Sequence, residues 1–310
     1  MTLVGTRGSK LSLAQTNWVL SELKKENSGI EFEIKIITTK GDTDTRALFT
    51  IDQKGIFEKE IDKAVAERQI DFAVHSLKDV PSDISKSLTI ACIPKRESVN
   101  DIFITNDGSS LETIPPNSVI GTSSLRRAVQ ISRKRPDVKV KPVRGNIETR
   151  INKVIDDKFD AVVLAHAGIA RLGLDVKYSI LSTADFPPSP GQGALAIVCR
   201  ADDDKTINML KKIEDKKSRA EIEAERALSE YVESGCRFPV GALAVADSSA
   251  LKLIVAAYSV DGKISIKLEK TGDVDKPKNL GQDLGEELKK SGIAEIASNW
   301  RERLDEWNKK

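Results

Sequence analysis

Strand-like and helix-like segments alternate through the first two thirds of this 310-residue chain, and this alternation limits its possible folds. A β-branched segment at 32–40 precedes apolar residues at helical spacing over 56–69, and a short apolar run follows at 71–76. The alternation restarts near Ser118, with strand-like segments separated by helix-like ones up to residue 165. Strands that alternate with helices of this length predict two α/β lobes with largely parallel sheets and a cleft between them.

The alternation stops at a segment rich in proline and glycine, 185–197, which we interpret as a crossing between the lobes. A charged helix, two strands joined by an Asp-Gly turn and further helices follow it, which predicts a small α+β domain. The predicted fold class is therefore α/β, with two lobes of mixed, mainly parallel sheets and a C-terminal α+β domain. We assign the first lobe to 1–96 and 192–214, the second to 97–191, and the third domain to 215–310.

The composition excludes several classes of protein. A net charge of +2 does not favour a general binder of polyanions, and aromatic residues make up only 5% of the chain, which argues against a nucleic-acid module. We find neither an apolar run of membrane-spanning length nor a signal peptide. The cysteines are widely spaced and the two histidines share no ligand spacing, so we expect no disulfide framework, no metal site and a reducing cytoplasm.

Several arginines lie at or just beyond the ends of predicted strands, where ligands of open α/β sheets bind. A guanidinium group can bind a carboxylate through two parallel hydrogen bonds. Ser9, and either Ser123 or Ser124, are expected to cap helices beside these cations. Each arginine by itself could be an ordinary surface cation, but the set favours a small ligand with several negative groups. The set comprises Arg7, Arg126, Arg127, Arg144 and Arg150, with Arg171 near the end of a short helix.

A second polar group follows the buried strand in "DFAVHSLKDVPS". Lys78 and Asp79 at this strand end could bind a carboxylate and handle protons, respectively. The alternative is an ordinary polar turn that closes the strand, with His75 as a buried structural imidazole. The local sequence does not decide between these interpretations.

Cys236 lies on a loop between a glycine and an arginine, directly after the charged helix. A neighbouring cation favours the thiolate, whereas the C-terminal end of a helix disfavours it. A nucleophile and an unreactive thiol are both compatible with this sequence.

Taken together, these motifs resemble the porphobilinogen deaminase (hydroxymethylbilane synthase) family. The resemblance covers roughly 4–245 in family order, and "HSLKDVP" with "GTSSLRR" is its most specific pair. The other matching stretches are "TRGSKLSLAQ", "KGIFEKEID", "VRGNIETR", "DAVVLAHAGIARLGL", "PPSPGQGALAI" and "AERALSEYVESGCRFPVGA". The family implies two lobes similar to periplasmic-type binding folds and a third domain that carries the cysteine.

The resemblance also implies the chemistry. Cys236 would hold a dipyrromethane cofactor through a thioether, and four porphobilinogen molecules would be condensed onto it with loss of ammonia. The implied catalytic residues are Asp79, Lys78 and Arg7. The implied cofactor contacts are Cys236, Asp79, Lys78, Ser76, Thr122, Ser123, Ser124, Arg126, Arg127, Arg144 and Gly145. The implied substrate contacts are Arg7, Ser9, Gln15, Lys54, Phe57, Arg144, Arg150 and Arg171.

The chain departs from the family pattern in three places: Asp52-Gln53 replace a frequent glycine pair, His166 replaces a small apolar residue, and Arg237 replaces an uncharged one. None of them removes a catalytic match. The family further implies a monomer, and the composition given above argues against membranes and nucleic acids as partners. The rival hypotheses are a non-catalytic polycarboxylate-binding protein and a cysteine hydrolase that would use Cys236 with His75 or His166.

Overall fold

The computed structural model describes residues 1–40, 58–231 and 239–297. The strands are β1 Thr2–Thr6, β2 Phe32–Ile36, β3 Phe72–Ser76, β4 Leu88–Cys92, β5 Asp101–Ile104, β6 Val119–Gly121, β7 Lys139–Lys141, β8 Ala161–Ala165, β9 Tyr178–Ile180, β10 Leu195–Arg200, β11 Val240–Asp247, β12 Ala250–Tyr258 and β13 Ser265–Asp273. The helices are α1 Lys10–Glu26, α2 Lys59–Ala66, α3 Leu125–Lys134, α4 Ile147–Ile155, α5 His166–Leu172, α6 Asp204–Leu210, α7 Lys216–Tyr231, α8 Pro277–Lys290 and α9 Ile293–Ala297. Short 3₁₀ turns lie at Leu77–Asp79 and Lys211–Ile213. Within the described ranges no helix has the length and apolar character needed to cross a bilayer.

The strands form three sheets in the described part of the chain. The first lobe contains the order β2-β1-β3-β10-β4, and the second contains β7-β6-β8-β5-β9. In each lobe four strands point the same way and one, β10 or β5, is antiparallel to both of its neighbours. The antiparallel sheet β11-β12-β13 belongs to the third domain. The predicted fold class is therefore confirmed.

Each reversed strand enters its sheet from the other lobe. The chain leaves the first lobe after β4, crosses at 93–100 and enters the second lobe as β5. It returns at 181–194 and enters the first lobe as β10. The second crossing confirms the interpretation of the segment rich in proline and glycine. The assigned lobe boundary between residues 96 and 97 places the first crossing here as well, although the one proline in 93–100 gives little turn signal.

Side-chain caps begin the helices that face the cleft. Ser9 accepts a hydrogen bond from the amide of Ser12 at 3.2 Å, which confirms the predicted cap of α1. Ser124 is the cap of α3 and accepts from the amide of Arg127 at 3.4 Å. Ser123, the other candidate, donates its hydroxyl to the carbonyl of Val143 instead. The strand-to-helix turns of both lobes are thus fixed by local hydrogen bonds.

Both faces of each lobe sheet carry an apolar core, as expected for mainly parallel sheets covered by helices. In the third domain α7 and α8 pack on one face of the three-stranded sheet. Strand β11 was not predicted, since its alanines and glycine carry little β propensity. Gly241 in this strand is needed for close approach, because a Cβ there would lie 2.3 Å from the carbonyl oxygen of Pro187 in the second crossing.

A buried ion pair joins both crossings to the third domain. The guanidinium of Arg96 donates to the two carboxylate oxygens of Glu225 at 2.8 and 3.0 Å, and its Nε donates to the carbonyl of Gln192 at 2.9 Å. The same carboxylate accepts from the amides of Gly191 at 2.7 Å and Ala244 at 2.8 Å. The two interlobe segments and the third domain are therefore anchored at one point.

Candidate active site

The predicted site residues follow strands whose carboxyl ends face the cleft. In the first lobe β1 ends before Arg7 and β3 ends before the turn Leu77–Asp79. In the second lobe β6 ends before Thr122 and β8 ends before His166. The carboxyl ends of parallel strands form the usual ligand-binding edge of an α/β sheet.

A polar pocket lies at this edge of the first lobe. Its lining residues are Arg7, Ser12, Gln15, Glu58, Val74, His75, Ser76 and Asp79. The amide of Gln15 donates to the hydroxyl of Ser76 at 2.9 Å, which fixes both side chains against the pocket. The structure thus brings together four predicted residues: Arg7, Gln15, Ser76 and Asp79.

His75 serves a structural purpose beside this pocket. Its Nε2 lies 3.0 Å from Oδ1 of Asp62 on α2, and the imidazole is buried. The contact ties helix α2 to strand β3 and so supports the pocket wall. This arrangement agrees with the alternative of a buried structural imidazole.

Lys78 lies on the 3₁₀ turn beside Asp79 in a region of concentrated charge. Burial lowers the pKa of the Lys78 ammonium group, Asp79 and Asp101 raise it, and Arg127 and Arg126 lower it further. The acid at the start of β5 and the two arginines of α3 are thus close enough to Lys78, on the turn of the first lobe, to affect its pKa. The two lobes therefore contribute to one charged region.

Asp101 organises the two arginines of "GTSSLRR". It is fully buried at the start of β5, and it accepts from Arg126 Nη2 at 2.9 Å and from Arg127 Nη2 at 2.7 Å. Gln192 of the second crossing also donates to it, at 2.8 Å. Burial alone would raise the pKa of Asp101, but the two guanidinium groups hold it well below its usual value. The carboxylate therefore remains ionised and fixes both arginines.

Arg150 and Arg144 extend the positive region along α4 and the loop before it. Nε of Arg150 donates to the carbonyl of Gly145 at 2.7 Å, and Gly145 has a φ of 114°, which is accessible to glycine. Burial, and then the charges of Arg127 and Arg144, lower the pKa of Arg150 to about 10. The like charges are thus close enough to destabilise one another.

Arg171 makes a different contact from the other predicted arginines. Its Nη2 donates to the carbonyl of Gly193 in the second crossing at 2.7 Å. Burial lowers its pKa to about 10, and the charge of Glu97 opposes this shift. The structure therefore places Arg171 against both crossings, where it links helix α5 to them.

The predicted hydroxyl residues hold the turns at the cleft. Thr122 is buried, and its Oγ1 accepts from the amide of Ser124 at 3.2 Å. Ser9, Ser123 and Ser124 make the hydrogen bonds given above, so their roles toward a ligand stay predictions. Lys54, Phe57 and Cys236, together with the departures at Asp52, Gln53 and Arg237, lie outside the described residues.

The remaining histidine contacts a tyrosine, and the two described cysteines are buried. Nε2 of His166 lies 3.0 Å from the hydroxyl of Tyr178. Cys92 and Cys199 are buried in the first-lobe core, and burial raises the pKa of both thiols, to about 12 for Cys199. Both are therefore protonated near neutral pH. Across the described ranges no cluster of three acidic, histidine or cysteine side chains could hold a metal ion.

Sequence reasoning missed three residues of the site: Asp101, Gln192 and Glu58. Asp101 had a usable signal, since an acidic residue begins an otherwise apolar strand, "DIFI". Gln192 and Glu58 had no such signal, because each looks like an ordinary polar residue in a turn or at a helix start. Only the tertiary structure brings them to the site.

Comparison with solved structures finds substrate-binding domains of transporters. The domain of a putative molybdenum ABC transporter from Clostridium difficile has a TM-score of 0.44 and 11% identity, and covers 70% of this chain and 93% of that one. The second substrate-binding domain of a putative amino acid ABC transporter from Streptococcus pneumoniae has a TM-score of 0.42 and 13% identity, covering 68% and 91%. Similarity at this level carries no functional conclusion.

Comparison of the sequence is far more specific. Residues 2–208 match the family model "Porphobilinogen deaminase, dipyromethane cofactor binding domain", and 219–290 match "Porphobilinogen deaminase, C-terminal domain". The "Probable porphobilinogen deaminase" of Nitrosopumilus maritimus (strain SCM1) is 68% identical over 99% of both chains. The porphobilinogen deaminase of Listeria monocytogenes serotype 4a (strain HCC23) is 41% identical over 96% of this chain and 98% of its own. The chain therefore belongs to the porphobilinogen deaminase family.

Proposed function

We propose that this chain is a transferase, a hydroxymethylbilane synthase that condenses four porphobilinogen molecules head to tail with loss of ammonia. Water would then release the linear tetrapyrrole from a covalently attached dipyrromethane. The observation that carries this proposal is the concentration of basic side chains beside Asp79 where the two lobes meet. Membership of the porphobilinogen deaminase family supports it independently.

The charge of the site suits an oligomer of pyrroles. Five basic residues there affect one another's charges electrostatically: Lys78, Arg126, Arg127, Arg144 and Arg150. The acids that interact with Lys78 are Asp79 and Asp101. Each pyrrole brings an acetate and a propionate, so a growing chain supplies carboxylates that such a site needs. A bound carboxylate would raise the depressed pKa values of Lys78 and Arg150, because it stabilises their charged forms.

The dipyrromethane fits the same residues. Its four carboxylates match the cations and the hydroxyl and backbone groups at the carboxyl ends of β3 and β6. When bound, it supplies the free ring carbon at which chain growth begins. We assign its contacts to Asp79, Lys78, Ser76, Thr122, Ser123, Ser124, Arg126, Arg127, Arg144 and Gly145, and its attachment to Cys236.

Asp79 would act on the reacting substrate. When ammonia leaves, the electron pair of the C–N bond goes with it and the methylene-pyrrole becomes cationic. A carboxylate fixed beside this cation lowers the barrier, and it can also manage the proton on the pyrrole nitrogen. Arg7 lines the same pocket and is assigned to the substrate carboxylate, with Lys78 beside it.

The remaining assignments complete the proposal. Substrate contacts are assigned to Arg7, Ser9, Gln15, Lys54, Phe57, Arg144, Arg150 and Arg171. The domain boundaries are placed at 1–96 with 192–214, at 97–191, and at 215–310. A cytoplasmic monomer that binds neither membranes nor nucleic acids is part of the same proposal.

Mass spectrometry of the intact purified protein tests the central claim. The wild type is expected to carry the added mass of two pyrrole units and to give the pyrrole colour with Ehrlich reagent. Cys236→Ala should lose both signals, whereas Cys199→Ala, which removes a buried thiol, should keep them. An active wild type without added mass would contradict the proposal, and an inactive, unmodified protein that binds polycarboxylates would support the rival binding protein.

A further inference from the structure

We propose that Gln130 is a positioning residue for the cofactor: its amide holds the guanidinium group of Arg126 where helix α3, the second crossing and the third domain meet. This inference rests on the proposed function, in which Arg126 binds a carboxylate of the dipyrromethane. Gln130 is not among the residues that the sequence analysis assigned to the site. It acts through Arg126 and does not touch the cofactor itself.

The hydrogen-bond donors of Arg126 show how its side chain is held. Nη1 donates to Oε1 of Gln130 at 2.8 Å and to the carbonyl of Pro187 at 2.8 Å, so both of its hydrogens are used. Nη2 donates to Asp101 at 2.9 Å. Nε is buried and has no hydrogen-bond partner among the described residues. These contacts fix the plane of the guanidinium group and leave the Nε hydrogen and one hydrogen of Nη2 for a ligand.

The amide of Gln130 has one defined orientation. The residue lies one helical turn after Arg126 and is only 3% exposed, so both ends of its amide need partners inside the protein. Its oxygen accepts from Arg126, and its nitrogen donates to the carbonyl of Pro187 at 3.0 Å. A guanidinium group can only donate and a carbonyl can only accept, so the reverse orientation would satisfy neither partner. The amide therefore bridges Arg126 and Pro187.

The third domain packs on the same point. Tyr258 on β12 is buried, which raises the pKa of its phenol, and the nearby Gln130 and Arg126 oppose this rise. On β11, Gly241 approaches the carbonyl of Pro187 so closely that a Cβ there would lie 2.3 Å from its oxygen. Arg126 is thus held at a set distance from the third domain as well as from the second crossing.

The proposed cofactor needs that distance to be constant. It would be attached through sulfur to the third domain, while Arg126 on the second lobe binds one of its carboxylates. A displaced guanidinium group would move the ring whose free carbon starts chain growth, and a misplacement of about 1 Å at reacting groups can cost about 100-fold in rate. Arg126 is not among the substrate contacts assigned above, so binding of porphobilinogen should not change.

Steady-state kinetics of Gln130→Met in the holoenzyme test this role. Methionine has a similar length, but it cannot donate to Pro187 and its sulfur is a poor acceptor for Arg126. The kcat should fall about 10- to 100-fold, because a bond to a charged group is lost and the reacting ring is misplaced. The KM for porphobilinogen should stay unchanged. Intact mass gives the fraction of protein that carries two pyrrole units, and kcat is referred to that fraction.

Val129→Ala is the matched control. Val129 is buried on the same helix and belongs to the apolar cluster that α3 forms with Tyr258 of the third domain. This variant loses packing but keeps the bonds of Arg126, so its Tm should fall while kcat and KM stay those of the wild type. Gln130→Glu keeps the length and the acceptor oxygen, and provides a folded comparison if the methionine variant is unstable. Its kcat should fall less than that of Gln130→Met, again with an unchanged KM.

Two results would overturn the inference. An unchanged kcat in folded Gln130 variants, with or without a change in KM, would show that Gln130 does not position the cofactor. An equal loss of kcat in Val129→Ala would assign the effect to packing between α3 and the third domain. Both are distinct from failure of the proposed function, in which the wild type itself would carry no pyrroles and would not turn over porphobilinogen.

Discussion

The two lobes share one sheet design but carry different chemistry at the cleft. Each has a strand order in which one reversed strand lies between two parallel neighbours, β10 between β3 and β4, and β5 between β8 and β9. At the edge of the first lobe lies a pocket with two carboxylates, Asp79 and Glu58. At the edge of the second lobe lie arginines bonded to the buried Asp101. Under the proposed function, the first lobe would hold the reacting pyrrole and the second would bind carboxylates.

The reversed strand accounts for part of this difference. Because it runs against its neighbours, its first residue meets the carboxyl end of the parallel strand beside it: Asp101 pairs with Ala165, and Leu195 pairs with Ser76. The residues at the end of each crossing therefore lie at the ligand-binding edge of the sheet that the crossing enters. In the second lobe the delivered residue is an acid that fixes arginines, whereas in the first lobe the acid Asp79 comes from a turn after a parallel strand.

The largest expected effect is on turnover and comes from the first lobe. Asp79→Asn should reduce kcat about 100- to 10,000-fold, because it would remove the charge that we assign to stabilising the cationic pyrrole. The protein should stay folded, since Asp79 is only half-buried at the pocket. Steady-state kinetics and thermal unfolding measure the two effects. A variant with near-wild-type kcat would exclude Asp79 from catalysis.

The second effect is on stability and comes from the second lobe. Asp101→Asn leaves two buried guanidinium groups without their counter-charge and should cost about 3–5 kcal/mol in the free energy of unfolding. Urea unfolding should show this loss, with Asp156→Asn, an exposed acid of the same lobe, as the control.

The pH dependence of stability tests the same site. The pKa of Asp101 is depressed in the folded state, so its contribution is present above the unfolded pKa of about 4 and is lost as the pH falls below it. Asp101→Asn should therefore lose less stability than the wild type does over this acidic range. The role given to Asp101 would be contradicted if Asp101→Asn and the wild type lost equal stability on acidification. It would also be contradicted if Asp101→Asn and Asp156→Asn had equal free energies of unfolding.

The smallest effect concerns the contact between the lobes. Nζ of Lys10 lies 2.7 Å from a carboxylate oxygen of Glu148, with side chains 73% and 33% exposed. Since exposed ion pairs contribute little and are screened by salt, Lys10→Met should change the free energy of unfolding by less than about 1 kcal/mol. A double-mutant cycle with Glu148→Gln at low and high salt measures the coupling. A coupling energy above this limit that does not change with salt would show that the pair stabilises the contact between the lobes.

Patterns along the chain predicted the elements of the cleft well. The predicted cap at Ser9, a cap at one of the two candidates Ser123 and Ser124, the return crossing, and the fold class are all present in the structure. These features depend on hydrogen bonds between near neighbours or on apolar periodicity, so a short window of sequence contains their cause.

The partners of the charged residues were not predictable in the same way. Arg126 and Arg127 were identified as cations at a strand end, but their bonds to Asp101 span 25 and 26 residues, and Arg96 meets Glu225 across 129 residues. No short window contains such pairs. The roles assigned to Lys54, Phe57 and Cys236 stay predictions, since these residues lie outside the described ranges.

The sequence by itself determined that this chain forms two α/β lobes with arginines at strand ends, because backbone propensity and apolar spacing act over a few residues. Only the tertiary structure decided which of those arginines is held by which carboxylate, and that Glu58 reaches the pocket of Asp79. Charges interact through space, and the crossings and reversed strands set the distances between residues that are far apart in the chain.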